Sequence, residues 1–159
     1  MSEITKVALI TGGSKGIGYG VAEALIKDGI RVAVTSRTQA NADEAALELN
    51  KIKDGYAIGI ESDVRNLASQ EQAVQTILSN WGRLDYVIAN AGVGYMAPIQ
   101  SLTSEQWQDT IDINLTGTFN SIKAAYESLK ESKGYFITIS SLAGTNFFAN
   151  GGAYNASKF

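Results

Sequence analysis

Short, wholly apolar runs alternate along this chain with longer stretches whose apolar side chains are spaced for one face of a helix. Val7-Ala8-Leu9-Ile10 and Tyr86-Val87-Ile88-Ala89 are continuously apolar, as strands are when both faces are covered. Runs of this kind predict strands over Lys6–Thr11, Arg31–Ser36, Ala57–Glu61, Tyr86–Asn90 and Tyr135–Ser140. The intervening stretches predict helices near Gly16–Asp28, Asn41–Lys53, Leu67–Trp81 and Ser104–Glu131. Strand-then-helix repetition without a hairpin signal implies a parallel sheet in a doubly wound α/β layer. No linker, repeat or low-complexity tract divides the chain, so residues 1–159 are expected to form a single domain.

Composition narrows the chemistry. The 159 residues include no cysteine and no histidine. Disulfides, thiolate metal sites and every imidazole base are thereby excluded. Catalysis would have to use tyrosine, lysine, serine, carboxylates or a cofactor. A formal charge of −3 argues against a nucleic-acid partner. No apolar run reaches the length of a membrane span and no signal-peptide pattern appears, so a cytoplasmic protein without a membrane partner is expected.

Two stretches carry specific chemistry. After the first predicted strand comes Thr11-Gly12-Gly13-Ser14-Lys15-Gly16-Ile17-Gly18, opening directly into a helix. Glycines at 12, 16 and 18 allow a sharp turn and close approach to a pyrophosphate, whose charge a helix N-terminus stabilises. The second strand ends in Ser36-Arg37, with no carboxylate for the ribose hydroxyls of NAD. Arg37 and Lys15 instead supply two cations suited to a 2′-phosphate, which points to NADP(H) rather than NAD(H). Asp63-Val64 and Asn90-Ala91-Gly92 end the third and fourth strand regions on the same side. There Asp63 could accept from an adenine amino group.

The other stretch is Tyr154-Asn155-Ala156-Ser157-Lys158. A tyrosine and a lysine four apart share one helix face. A phenol ionises near pH 10 in water, and a nearby cation favours its ionised form, which suits acid/base work on a carbonyl–alcohol pair. Ser141 closes the fifth strand 13 residues before Tyr154, and Asn114 interrupts an apolar helical stretch.

The ordered set Thr11-Gly12-x-x-x-Gly16-x-Gly18, Asn90-Ala91-Gly92, Asn114, Ser141 and Tyr154-x-x-x-Lys158 resembles the short-chain dehydrogenase/reductase family. The resemblance covers Lys6 to Phe159, and Leu102–Phe119 is similar to 3-oxoacyl-carrier-protein reductase-like members. It implies a Rossmann-type doubly wound sheet that binds NADP(H) and reduces a small-molecule carbonyl by hydride transfer. Tyr154 would be the general acid, Lys158 would favour the ionised phenol and hold the nicotinamide ribose, and Ser141 would polarise the carbonyl. Asn114 would hold a water linking Lys158 to solvent. Relatives complete the helix begun at Gly151, add two strands and a mobile segment, and often assemble as homo-oligomers through the long helix. Against that pattern five strands are present and the C-terminal strands are missing. The alternative expectation is therefore a catalytically impaired nucleotide-binding fragment, its fifth strand left as a sheet edge.

Overall fold

The computed structural model describes residues 5–159. Its elements are β1 (Val7–Ile10), α1 (Gly16–Lys27), β2 (Arg31–Ser36), α2 (Gln39–Asn50), β3 (Ala57–Glu61), α3 (Leu67–Trp81) and β4 (Tyr86–Ala89). They are followed by α4 (Ser104–Ile111), a π-helical turn (Asp112–Thr116), α5 (Gly117–Ser132), β5 (Tyr135–Thr138), a 3₁₀ turn (Leu142–Gly144) and α6 (Gly152–Lys158). Successive side chains of a strand leave opposite faces of the sheet, and in this fold both faces are covered. Val7 and Leu9 join Ala33, Ile60 and Val87 in one core, closed by Ala73, Val74 and Ile77 of α3 and by Ala125 and Leu129 of α5. Ala8 and Ile10 join Val32, Val34 and Ile88 in the other, closed by Ala22 and Ile26 of α1 and by Ala45, Ala46 and Leu49 of α2. The continuous apolar runs follow from this double burial.

All neighbouring strands are parallel, in the order β3-β2-β1-β4-β5. This is a Rossmann-like α/β sheet. The chain winds outward from β1 to β3, then outward again from β4 to β5, so the winding reverses between β1 and β4. In open α/β sheets a crevice forms beyond the carboxyl ends of the strands at that reversal. The opposite ends are tied by Asp85. Its carboxylate accepts from the Val7 N–H at 2.9 Å and pairs with Arg83, and its carbonyl accepts from the Tyr135 N–H at 2.8 Å.

The elements depart from the sequence expectations at their ends. β1, β4 and β5 each stop one or two residues earlier than expected, Thr11 entering a turn and Asn90 and the residues after Thr138 continuing as irregular chain. α2 starts at Gln39 rather than Asn41, since Thr38 caps it by accepting from the Asn41 N–H at 3.4 Å. The stretch Ser104–Glu131 is not one regular helix. The π turn Asp112–Thr116 interrupts it, with Ile113 and Asn114 buried. Past that turn Gly117 lies so close to Val64 that a Cβ would come within 2.6 Å of its Cγ2. Among the described residues β5 lies at one edge of the sheet, with Tyr135 and Ile137 exposed.

Candidate active site

The turn after β1 is held by side chains from neighbouring strands. Thr11 Oγ1 accepts from the N–H groups of Asn90 (3.0 Å) and Ala91 (3.1 Å). Asn90 Nδ2 donates to the carbonyls of Thr11 (2.9 Å) and Gly12 (3.1 Å), and the Gly12 N–H donates to Thr35 Oγ1 at 3.3 Å. Gly12 and Gly16 take φ of +61° and +59°, a region that side chains other than hydrogen rarely adopt. A Cβ on Gly18 would lie 2.5 Å from Asn90 Nδ2 and would evict the amide that shapes the turn. Beyond the turn α1 begins at Gly16, and Lys15 before it supplies no side-chain cap, so its first N–H groups are free to face an anion.

A crevice of about 1220 Å³ runs from this turn across the carboxyl ends of the strands. Gly12, Ser14, Lys15 and Ile17 line it beside α1, and Ser36 and Arg37 line it at the end of β2. Asp63 and Val64 follow β3, Asn90, Ala91 and Gly92 follow β4, and Tyr154 and Lys158 close the far end. Gly16 and Gly18 shape the turn without lining the crevice. Thr38, Asn41 and Glu44 extend the wall beyond Arg37. Sequence reading missed these three, whose only signal was their place in the first turns of the helix that follows Arg37.

Several expected site residues are hydrogen-bonded within the protein. Both Asp63 carboxylate oxygens are held by the Arg65 guanidinium at 2.6–3.0 Å, and Arg65 also reaches Asp109 at 3.1 Å. The Arg65 hydrogen bonds hold the Asp63 carboxyl below its ordinary range. Its oxygens are therefore held in place at the edge of the crevice. Tyr95 donates to the same Asp109 at 3.0 Å, so the loops after β3 and β4 meet at α4.

Asn114, 4% exposed, has both ends of its amide hydrogen-bonded within the protein. Its Oδ1 accepts from the Val93 N–H at 2.8 Å, and its Nδ2 donates to the Val93 carbonyl at 2.8 Å and to Ser157 Oγ at 2.9 Å. Ser157 Oγ in turn donates to the Tyr154 carbonyl at 2.9 Å. The side chain thus ties the loop after β4 to the helix of Tyr154. Ser157, buried between the two residues that drew attention in the sequence, went unnoticed. A polar residue on the inner face of that short helix was the available sign.

Lys158 Nζ donates to the Ile139 carbonyl at 2.8 Å and sits 5.8 Å from the centre of the Tyr154 ring. Tyr and Lys therefore do share a face, and both line the crevice, while the ammonium is anchored on the end of β5. Ser141 caps the 3₁₀ turn, its Oγ accepting from the Ala143 N–H at 3.2 Å, and its neighbour Ser140 is the serine that lines the crevice. The Tyr154 ring packs over Gly94, where a Cβ would lie 3.0 Å from its Cδ2.

Known proteins share this sequence pattern and this fold. A 3-oxoacyl-[acyl-carrier-protein] reductase from Synechocystis sp. is 34% identical over 154 residues, which are 96% of this chain and 62% of that protein. The structure of an alcohol dehydrogenase from the archaeon Thermococcus sibiricus, complexed with 5-hydroxy-NADP, superposes with a TM-score of 0.91 at 34% identity. It covers 97% of this chain and 66% of its own. A 3-ketoacyl-ACP reductase structure from Sinorhizobium meliloti gives a TM-score of 0.88 at 39% identity, covering 96% of this chain and 61% of its own. The chain thus spans about three fifths of the length of the curated relatives it matches. The family model for short chain dehydrogenases matches residues 6–159, and the chain belongs to that oxidoreductase family.

Proposed function

We propose that the protein is an NADP(H)-dependent oxidoreductase that reduces a carbonyl compound to an alcohol, with Tyr154 as general acid. One observation carries the reading: a single crevice has the uncapped start of α1 at one end and Tyr154 with Lys158 at the other. The residues present suit a dinucleotide. The turn at Gly12 and Gly18 leaves no Cβ in the way, and the α1 N–H groups await an anion. Lys15 and Arg37 would hold a 2′-phosphate, and Ser36 sets no carboxylate against it. The similar Thermococcus alcohol dehydrogenase is complexed with 5-hydroxy-NADP, which supports this choice.

When bound, NADPH would supply the hydride for the carbonyl carbon. Tyr154 would deliver the proton to the carbonyl oxygen, completing the alcohol. Lys158 would support the ionised phenol and the ribose, and Ser141 would orient the carbonyl. Asn114 would fix the height of α6 through Ser157, in addition to any water it holds. We further propose a cytoplasmic homo-oligomer assembling on α5, whose Phe119 and Tyr126 are exposed. Among the described residues no helix is long and apolar enough to cross a membrane.

The test is NADPH and NADH binding followed by NADPH oxidation with ketones and 3-oxoacyl thioesters. Turnover lost in Tyr154→Phe with NADPH affinity retained supports the proposal. Nucleotide binding without turnover would instead make the chain a cofactor-binding fragment.

A further inference from the structure

The end of β2 is crowded with carboxylates, yet its arginine is left free. Ser36 pairs with Glu61, and the Ser62 N–H donates to the Ser36 carbonyl at 2.8 Å. Arg37 and Asp63 therefore leave neighbouring strands side by side, and both line the crevice. A guanidinium and a carboxylate so placed would ordinarily pair. Among the described residues Arg37, Lys15 and Glu44, all lining the crevice, belong to no ion pair.

The nearby carboxylates are held by other donors. Glu61 accepts from the Gln39 N–H at 2.9 Å, and Asp43 accepts from Gln39 Nε2 at 2.7 Å. Asp63 is held by Arg65, whose Nε lies 3.0 Å from each carboxylate oxygen and whose Nη2 reaches Oδ2 at 2.6 Å. Arg65 is anchored in turn on α4. Its Nη1 donates to Asp109 at 3.1 Å, and the Tyr95 hydroxyl donates to the other Asp109 oxygen at 3.0 Å. Two carboxylates thus offset the charge of Arg65, while no ion pair offsets that of Arg37. The Asp63 carboxyl is lowered chiefly by its Arg65 hydrogen bonds, against the effect of burial, and least by the charge of Arg37.

Resting on the reading of Arg37 as a ligand of the 2′-phosphate, we infer that Arg65 is a specificity-determining residue. By holding Asp63 it keeps Arg37 unpaired, and so sets the preference for a nucleotide that carries a 2′-phosphate. Without Arg65 the freed Asp63 carboxylate lies beside Arg37 and competes with the phosphate for the same guanidinium. A nucleotide without the 2′-phosphate makes no call on Arg37 and is indifferent to that competition.

Calorimetry with two halves of the cofactor, adenosine 2′,5′-bisphosphate and 5′-AMP, tests this on the 159-residue chain without turnover. The parent chain is expected to prefer the bisphosphate. Arg65→Gln should cut that preference by about three- to fivefold, the worth of one exposed ion pair, with 5′-AMP affinity unchanged. The double variant Arg65→Gln/Asp63→Asn should recover the parent ratio. Arg65→Gln/Asp109→Asn has the same net charge but leaves Asp63 free, and should not recover it. Recovery in both doubles would trace the effect to overall charge, and recovery in neither would make Arg65 itself a phosphate ligand; each would overturn the inference. So would an equal loss for both nucleotides, the mark of a purely structural clamp, or a preference that survives Arg65→Gln. A parent chain with no preference would remove the 2′-phosphate reading itself, and this inference with it.

Discussion

Replacing Asn114 with alanine isolates what the π turn does for the site. The change removes three hydrogen bonds at once, two to the Val93 main chain and one to Ser157 Oγ. Ser157 keeps its bond to the Tyr154 carbonyl, so its hydroxyl is half satisfied. The Val93 N–H and C=O, both partly buried, lose their side-chain partner. At roughly 1 kcal/mol per lost neutral hydrogen bond, with an added desolvation penalty where water cannot enter, Asn114→Ala should cost about 2–4 kcal/mol. For a chain of this size that corresponds to a fall of about 5–15 °C in Tm. The loss should be local as well as global. Amide exchange in residues 93–95 and 152–158 should speed up more than exchange in β1 or β2, because these two segments are what the side chain joins. Asn114→Asp, which keeps the acceptor toward the Val93 N–H but cannot donate when ionised, should fall in the same direction. Chemical denaturation and hydrogen-exchange mass spectrometry measure both effects. Unchanged stability, with unchanged protection of 152–158, would refute the view that Asn114 supports α6.

Three further outcomes are expected. Gly18→Ala drives a Cβ to 2.5 Å from Asn90 Nδ2 and should cost about 1–3 kcal/mol of stability while weakening NADPH binding in calorimetry; a neutral result would mean that Asn90 can move aside. Arg37→Glu removes the cation at the end of β2 and should raise the NADPH Kd about 10–100-fold, the worth of one charge-assisted hydrogen bond, while the NADH Kd holds or falls; parallel losses for both would argue against a 2′-phosphate contact. Burial works against the charged form of Asp85, yet the Arg83 pair and the Val7 N–H prevail and hold its carboxyl below the ordinary value. A depressed carboxylate stabilises the fold fully above its unfolded pKa of about 3.9, and that contribution disappears as pH falls through the folded value. Asp85→Asn should therefore be less stable at pH 7, with the gap to the parent chain starting to close below about pH 4 and vanishing only beneath the depressed folded value, whereas a gap independent of pH would contradict the assignment.

Much of this protein was legible before any coordinates. The five strands follow from runs such as Val7–Ile10, where an α/β sheet buries both faces. The glycine turn follows from backbone demands that Gly12 and Gly16 meet with positive φ. The Tyr154–Lys158 spacing follows from helix periodicity and does bring both residues to the crevice. These are local rules, readable within a few residues. What the tertiary structure decided lies at long range. Only the packed sheet sets β4 beside β1 and so opens the crevice where the winding reverses. Asn114 meets Val93 and Ser157 across 21 and 43 residues of chain, which assigns its amide to support. Asp63 is captured by Arg65 two residues away, yet Arg65 is held in turn by Asp109, 44 residues on. Lys158 rests on the Ile139 carbonyl because the end of β5 passes beneath it. Residue type and spacing determine what a side chain can do, but each donor or acceptor is satisfied by whichever partner the fold brings within about 3 Å, and that choice is made only when distant segments pack.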